Sequence, residues 1–313
     1  AYMLPDVVCD WSAVQLESVG EQRVRVTGAK GHAPTGKYKV SITWADGQRC
    51  MAFMPVVGRD AARKAQRQAD AVLKRVDEML RDRNLPPFRA TRVEVLGAES
   101  SYGANARPAA QQTREVVYKI GVEHDDPQAF KLFLREFDSP TTSMSVGTTG
   151  WFGGRGQVTP VMRVFSTTVE RESVPVTVSF EGQDEIVATP APNARFDPDA
   201  IVRPDVAGDG VAGSSAARTV PLVELAWARS GDKGDAFNVG VIARKPEYLP
   251  YIRAALTEET MRDWFAHEFE GGANPAVRRY EVPGLQAINL HFLNALGGGQ
   301  FASLRLDPLA KGK

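Results

Sequence analysis

The segment from Arg229 to Asp235 carries the densest group of side chains able to bind or react with a ligand. Six of its seven residues are charged or glycine, and strand-like runs precede and follow it. We therefore predict a tight turn that projects its charged side chains from one end of a sheet. Those side chains are Arg229, Asp232, Lys233 and Asp235, with Ser230 and Asn238 beside them. Arginine and lysine suit phosphate or carboxylate groups, and the alternative is a well-ordered turn held by its own salt bridges.

Two glycine-rich segments are further candidates for anion binding. The first is the run Gly297, Gly298 and Gly299, ahead of a predicted strand. Its backbone N–H groups can cradle an anion, or the glycines can simply permit a turn with positive φ. The second surrounds Arg155, in a stretch over residues 139–157 that is rich in glycine, serine and threonine. A long loop of this composition is typical of a lid or a substrate-contacting segment.

His124 is the histidine with the clearest pattern around it. It ends a run of alternating residues that begins at Glu115 and carries Val116, Tyr118, Ile120 and Val122. A period of two places His124 on the same inward face as those residues. An imidazole there can transfer protons near neutral pH, and the alternative is a histidine satisfied by hydrogen bonds at the edge of the core. His291 is a second candidate for proton transfer.

The composition excludes other kinds of site and partner. Lysine plus arginine equals aspartate plus glutamate at 38 each, which removes the positive charge excess that nucleic-acid and anionic-membrane binders use. Two cysteines and four histidines do not supply a zinc site of the usual spacing, and we assign no metal ligand. Neither a dinucleotide-binding nor a P-loop glycine motif occurs. No apolar run approaches the about 18 to 20 residues of a membrane span, so we expect a cytoplasmic protein that binds neither membrane nor nucleic acid.

Local patterns predict the elements that position these groups. Residues 60–83 contain neither glycine nor proline and repeat apolar residues at three- and four-residue steps, which predicts an amphipathic helix. Asp126 as the N-cap, with Pro127 in the first helical position, predicts a second helix that ends at Phe137. Asp46-Gly47 between two strand-like runs predicts a hairpin. Strands with two intercalated helices indicate a mixed-sheet α/β sandwich, and hence an α/β (α+β) fold class.

A change in composition divides the chain. Residues 188–220 are rich in proline, alanine, glycine and serine, which is typical of a linker. This linker would separate a domain at residues 1–187 from a second domain at 221–313. In the second domain we predict strands at residues 222–228, 238–243, 277–282 and 303–306. Four strands with short helices in about 90 residues indicate a small two-layer α+β domain of the ferredoxin-like kind.

Several segments carry a family resemblance. Residues 228–248 (ARSGDKGDAFNVGVIARKPEY), 280–284 (YEVPG) and 295–307 (ALGGGQFASLRLD), with Asn289, closely resemble the C-terminal ferredoxin-fold domain of the acyclic terpene utilisation (AtuA) family. Residues 2–8 (YMLPDVV), 23–28 and 39–41 resemble the later half of that family's main domain. Full-length relatives carry a further region before the part equivalent to Tyr2. The resemblance therefore implies a second chain that supplies this region, or a homo-oligomer.

The resemblance also implies a pathway. Family members are associated with the breakdown of citronellol- and geraniol-type terpenes, whose intermediates are branched acyl-CoA thioesters. We therefore expect a hydratase- or lyase-like enzyme, or a subunit of one, with coenzyme A as part of the substrate and a small molecule as partner. The catalytic candidates are Asp232, Lys233, Asp235 and His124, and the substrate-binding candidates are Arg229, Ser230, Asn238, Arg155, Gly297, Gly298 and Gly299. The alternative is a non-catalytic binding or assembly module that completes an active site or complex with another chain.

Overall fold

The computed structural model describes residues 2–3, 7–150, 152–187, 195–197, 199, 218–269 and 276–313. Most of the linker expected at 188–220 lies outside these residues, so the two domain boundaries stay a prediction. None of the helices in the described part of the chain combines the length and the apolar composition that crossing a bilayer requires.

The described chain contains fifteen strands and six α-helices, and six of the strands precede the first α-helix. The strands are β1 Tyr2–Met3, β2 Val8–Asp10, β3 Gln15–Gly20, β4 Arg23–Thr27, β5 Lys30–His32, β6 Lys37–Val57, β7 Ala90–Leu96, β8 Glu115–His124, β9 Val158–Glu170, β10 Val176–Phe180, β11 Gln183–Val187, β12 Ala226–Lys233, β13 Ala236–Ala243, β14 Ala276–Val282 and β15 Ala287–Leu293. The α-helices are α1 Ala61–Asp82, α2 Pro127–Asp138, α3 Pro140–Ser143, α4 Leu222–Leu225, α5 Leu249–Ala255 and α6 Glu258–Trp264. Short 3₁₀ helices lie at Ser100–Asn105, Pro108–Gln112, Arg171–Ser173, Pro246–Tyr248, Ala266–Glu268 and Pro283–Leu285.

Two four-stranded sheets organise the molecule. The N-terminal sheet has the order β7-β8-β6-β9, and the C-terminal sheet has the order β12-β13-β15-β14. Smaller sheets form from β1, β2 and β5, from β3 and β4, and from β10 and β11. The α+β class is confirmed. The pairings within the described residues are all antiparallel, so the N-terminal sheet is not the mixed sheet that the pattern suggested.

Two helices cover one face of the N-terminal sheet. Helix α1 follows the predicted span and buries a stripe of small and branched residues, namely Ala61, Ala62, Ala65, Ala69, Val72, Val76 and Leu80. Its alanines allow the helix axis to approach the sheet closely. Helix α2 begins as predicted, because the Asp126 side chain accepts a hydrogen bond from Gln128 N at 2.8 Å and Pro127 occupies the first turn. Phe130, Phe133 and Phe137 of this helix complete the core.

The hairpin expected at Asp46-Gly47 is wrong. Strand β6 runs unbroken from Lys37 to Val57. Asp46 and Gly47 form an irregularity in the pairing of β6 with β9, between Ala45 and Gln48. The Asp46 carboxylate binds Arg163 of β9 and, at 2.9 Å, Arg89. These two pairings tie the extra residues to their neighbours, so the chain bulges and continues instead of reversing.

The opposite face of the N-terminal sheet, which we call its outer face, carries charged residues. Lys119 of β8 donates to Glu94 of β7 and, at 2.5 Å, to the backbone oxygen of Leu304. Arg49 of β6 donates to the backbone oxygen of Ser303 at 2.5 Å. Residues 303–304 therefore lie across this face. The strand expected at 303–306 is wrong. The carbonyl groups of residues 303 and 304 accept hydrogen bonds from the side chains of Arg49 and Lys119, and not from the backbone of a described neighbouring strand.

The C-terminal sheet packs one face on α5 and α6 through a core that includes Phe237, Val241, Ile252, Leu290 and Phe292. Its element order is a hairpin, a helical segment and a second hairpin. The first strand differs from the expected 222–228. Residues 222–225 form a helical turn, and β12 begins at Ala226 and continues to Lys233.

Candidate functional site

The turn predicted over 229–235 is shorter in the structure. Strand β12 pairs with β13 residue by residue as far as Lys233, which lies opposite Ala236. Only Gly234 and Asp235 remain between the strands, and Gly234 has a φ of 63°. Arg229 and Asp232 are therefore strand residues and do not project from a loop, because the backbone of this segment completes its hydrogen bonds with β13.

The strand alternation divides the predicted site residues between two faces. Ser230 and Asp232 lie opposite Val239 and Phe237, on the side that faces the helices, and Ser230 is buried. Arg229 and Lys233 lie on the other face, and both are exposed. We call this other face of the C-terminal sheet its open face. The predicted site residues are thus divided between the two faces, and Arg229 and Lys233 are the exposed ones among the charged residues of this segment.

The Asp235 carboxylate holds the glycine run. Its Oδ1 accepts hydrogen bonds from Leu296 N at 3.0 Å and from Gly298 N at 2.8 Å. All three glycines, Gly297, Gly298 and Gly299, have positive φ, and a Cβ on Gly299 would lie 2.5 Å from the backbone oxygen of Gly234. Two backbone N–H groups of this segment, those of Leu296 and Gly298, therefore bind an anionic group of the chain itself, the side chain of Asp235, and binding of an external anion by the glycines stays a prediction.

Asp232 also has a partner within the chain. Lys311 Nζ lies 3.3 Å from its Oδ1, near the C-terminus. Lys233, by contrast, donates to the backbone oxygen of Asp232 at 3.1 Å and to no other residue in the described part of the chain. The carboxylates of Asp232 and Asp235 therefore bind groups within the chain, whereas the ammonium group of Lys233 has N–H groups available to a ligand.

A cavity of about 280 Å³ lies on the open face and touches Lys233 and Asn238. The rest of its lining includes Tyr280, Asn289 and His291 from β14 and β15. The Asn238 Nδ2 donates to the Asn289 Oδ1 at 2.8 Å, and His291 lies directly opposite Asn238 in the sheet. Lysine, amide, phenol and imidazole groups thus converge, and together they can bind a carbonyl or anionic group and accept a proton.

The charged side chains that the structure describes on the open face are all cationic. The register places Arg229, Lys233 and Arg278 on it, and none of the described residues on this face is a carboxylate. Burial, together with the nearby charge of Arg278, lowers the pKa of His291 below its usual value. The imidazole is therefore neutral near pH 7 and able to accept a proton. Arg278 and Tyr280 were not predicted as site residues. Their two-residue spacing within the strand expected at 277–282 places them on one face of the sheet, so the sequence contained a signal for them.

Comparison with known proteins settles the family. Residues 1–180 match the family model described as acyclic terpene utilisation family protein AtuA, and residues 220–313 match the AtuA ferredoxin-like domain. The chain belongs to the AtuA family. No curated protein and no solved structure matches it. The expected ferredoxin-like assignment of the C-terminal region is thereby confirmed.

Two further predicted site residues, His124 and Arg155, do not line the cavity on the open face. Both ring nitrogens of His124 are occupied, because Nε2 lies 3.0 Å from the backbone oxygen of Pro86 and Nδ1 accepts from Asp126 N at 2.8 Å. Its ring is buried among Phe88 and Phe130, on the helix-covered face of the N-terminal sheet. Arg155 binds Asp138 at 2.8 Å and lines a different cavity.

The geometry also bears on metal binding in this AtuA-family chain. Within the described ranges, no three histidine, cysteine, aspartate or glutamate side chains come close enough together to hold a metal ion.

Proposed function

We propose that this AtuA-family chain is a catabolic protein of acyclic terpene or related branched acyl-CoA degradation, and that it binds an acyl-CoA thioester on the open face. The observation that carries the proposal is the cavity where Lys233, Asn238 and His291 meet, on a face whose described residues include no carboxylate. Coenzyme A carries several negative charges, so a cationic surface favours it over neutral metabolites.

The same groups suit hydratase- or lyase-like chemistry. Such a reaction needs a donor that polarises the thioester carbonyl and a group that moves a proton at the adjacent carbon. Asn238 and Lys233 supply N–H donors. The neutral imidazole of His291 supplies a proton acceptor. In this proposal Asp232 and Asp235 take no direct part, because each is bound within the chain.

The test is a titration with 3-methylcrotonyl-CoA, a branched and unsaturated thioester, followed by calorimetry. We expect Lys233→Ala and Asn238→Ala each to weaken binding by about tenfold, which corresponds to about 1.4 kcal/mol. Lys74→Ala on the exposed side of α1 is the matched control and should bind like the wild type. Hydration is followed by the loss of the ultraviolet absorbance of the conjugated thioester, and His291→Ala should abolish it. Equal binding by all variants would contradict the proposal.

A non-catalytic assembly module is the second candidate. It is favoured by the exposed apolar side chains of Trp227, Ile242 and Tyr280 on the same face. Apolar groups of this size on a sheet surface are typical of protein contacts. Sedimentation velocity separates the two candidates. If Trp227→Ala dissociates an oligomer and no thioester binds, the face is an interface and the first proposal is wrong.

A further inference from the structure

The outer face of the N-terminal sheet is only partly covered. Residues 303–304 lie over Arg49 and Lys119, and the Leu304 side chain packs against Gly121. Beyond Lys119 the next row of the sheet is apolar. It consists of Leu96, Val117 and Pro55, which lie directly opposite one another on β7, β8 and β6. This row lines a cavity of about 350 Å³.

A glycine-rich segment borders this apolar row. Past Cys50, none of the described strands pairs with β6 on the β9 side, and residues 147–150 together with Phe152 take that place. Val57 N donates to the oxygen of Gly147 at 2.8 Å, and Phe152 N donates to the oxygen of Phe53 at 3.3 Å. A Cβ at residue 147 would lie 2.0 Å from the oxygen of Val57, so glycine is required for this close approach.

Phe152 joins two cavities. It lines the cavity over the apolar row and also a neighbouring cavity of about 340 Å³, which Met51 and Phe53 border. Its side chain is 59% exposed. We call the two cavities together the trough. Both fall in the size range of small-molecule sites. The first is lined mostly by apolar side chains, whereas Arg155, which binds Asp138, and Gln157 also line the second.

One end of the trough is polar. Val57 and Glu115 line both the trough and a further cavity of about 580 Å³, whose other lining residues include Thr113 and Arg114. Among the residues that the structure describes, none pairs with the exposed guanidinium group of Arg114, which contributes only its backbone oxygen to Gly58 N. Glu115 is the one carboxylate among the described lining residues of these cavities.

The geometry points to a binding site for an aliphatic carboxylic acid of medium chain length, with its chain in the trough and its carboxylate on Arg114. An apolar chain buries Leu96, Val117 and Phe152, which are otherwise in contact with water, and this burial drives binding. An unpaired arginine at the end of an apolar surface favours a carboxylate head, because the guanidinium group binds it through two parallel hydrogen bonds. This site is separate from the open face and does not depend on the function proposed above.

Calorimetric titration with decanoate tests the site, with decyltrimethylammonium as a probe of the same chain length and opposite charge, both below their micelle concentrations. We expect saturable decanoate binding and at least about tenfold weaker binding of the ammonium probe. Arg114→Ala should remove this preference, whereas Phe152→Ala should weaken both probes. Phe152 is largely exposed, so this variant is expected to fold. Lys74→Ala is the control for a lost surface charge.

Three results would overturn the inference. The first is a folded wild-type protein that does not bind decanoate. The second is equal or tighter binding of the ammonium probe, which would assign the polar end to Glu115. The third is an oligomer that Phe152→Ala dissociates, which would assign the trough to a second copy of the chain. Lys233→Ala should bind decanoate normally, so failure of the trough and failure of the open-face proposal give different patterns.

Discussion

The two sheets use lysine in opposite ways on the faces that point away from their helices. Lys119 of the N-terminal sheet is 1% exposed and binds both Glu94 and a backbone carbonyl of residues 303–304. Lys233 of the C-terminal sheet is exposed, and among the described residues its ammonium group hydrogen-bonds only to the backbone oxygen of Asp232. A buried, paired charge fixes chain segments to each other, whereas an exposed charge with free N–H groups is available to a ligand. Environment, and not residue type, separates the two roles.

The largest effect is expected from breaking the buried pair. Burial lowers the pKa of Lys119, although the charge of Glu94 acts in the opposite direction. Lys119→Met removes one of the two cations that bind the buried Glu94 carboxylate, since Arg92 Nε stays 3.2 Å from its Oε1, and we expect a loss of about 3 kcal/mol in the free energy of unfolding. Urea denaturation measures it.

The matched control for this variant is the double substitution Lys119→Met with Glu94→Leu. It removes both charges of the pair, but also the carboxylate that binds Arg92, so only part of the lost stability should return. If the double variant is as unstable as Lys119→Met alone, the pair does not act as a unit and the comparison fails for the N-terminal sheet.

A second buried ion cluster predicts a pH dependence. Burial by itself raises the pKa of Glu268, but its hydrogen bond with His267 and the charges of Lys313 and Arg305 outweigh burial and lower the pKa to about 2. A carboxyl group with a lowered pKa in the folded state stabilises the protein above its unfolded pKa and loses this contribution as the pH falls. We expect the contribution, on the order of 3 kcal/mol, to disappear between about pH 5 and pH 2.

Glu268→Gln provides the comparison for that measurement. The variant is less stable at neutral pH, and its free energy of unfolding should fall less steeply than that of the wild type over the same acidic range. Parallel pH curves for the two proteins would show that Glu268 does not titrate as its contacts with Arg305 and Lys313 require.

A smaller effect is expected at Asp235. Its carboxylate accepts two backbone hydrogen bonds from the glycine-rich segment, and bonds to a charged acceptor contribute about 1.5 to 3 kcal/mol. Asp235→Ala should therefore lower the free energy of unfolding by about 2 kcal/mol. Asp235→Asn keeps an oxygen acceptor and should lose less, as thermal denaturation measures. Equal losses in the two variants would mean that the acceptor oxygen is not what matters.

Elements with their own local signal were predictable from the sequence. The absence of glycine and proline and the regular apolar spacing gave helix α1 nearly its observed bounds. The cap at Asp126 and the alternation of β8 were equally local signals. By contrast, Asp46-Gly47 has the local pattern of a hairpin, and pairing with Arg89 and Arg163, distant in sequence, makes it a bulge.

The site was predictable only in part, for the same reason. Lys233, Asn238 and His291 were singled out by residue type, and they meet because of the register between β12, β13 and β15. That register also removed Ser230 and Asp232 from the face. No local pattern marks Lys119 as buried, because the segment that covers it comes from the far end of the chain.

The smallest change in stability is expected for Lys233→Ala. This variant also gives the most direct test of thioester binding on the open face. Lys233→Ala removes an exposed side chain, so the free energy of unfolding should stay within about 0.5 kcal/mol of the wild type. Binding of 3-methylcrotonyl-CoA should nevertheless weaken by about tenfold. Measured side by side, Asp235→Ala should lose stability and, once folded, keep most of its affinity. If instead Lys233→Ala binds the thioester as tightly as the wild type, the open face is not the binding site.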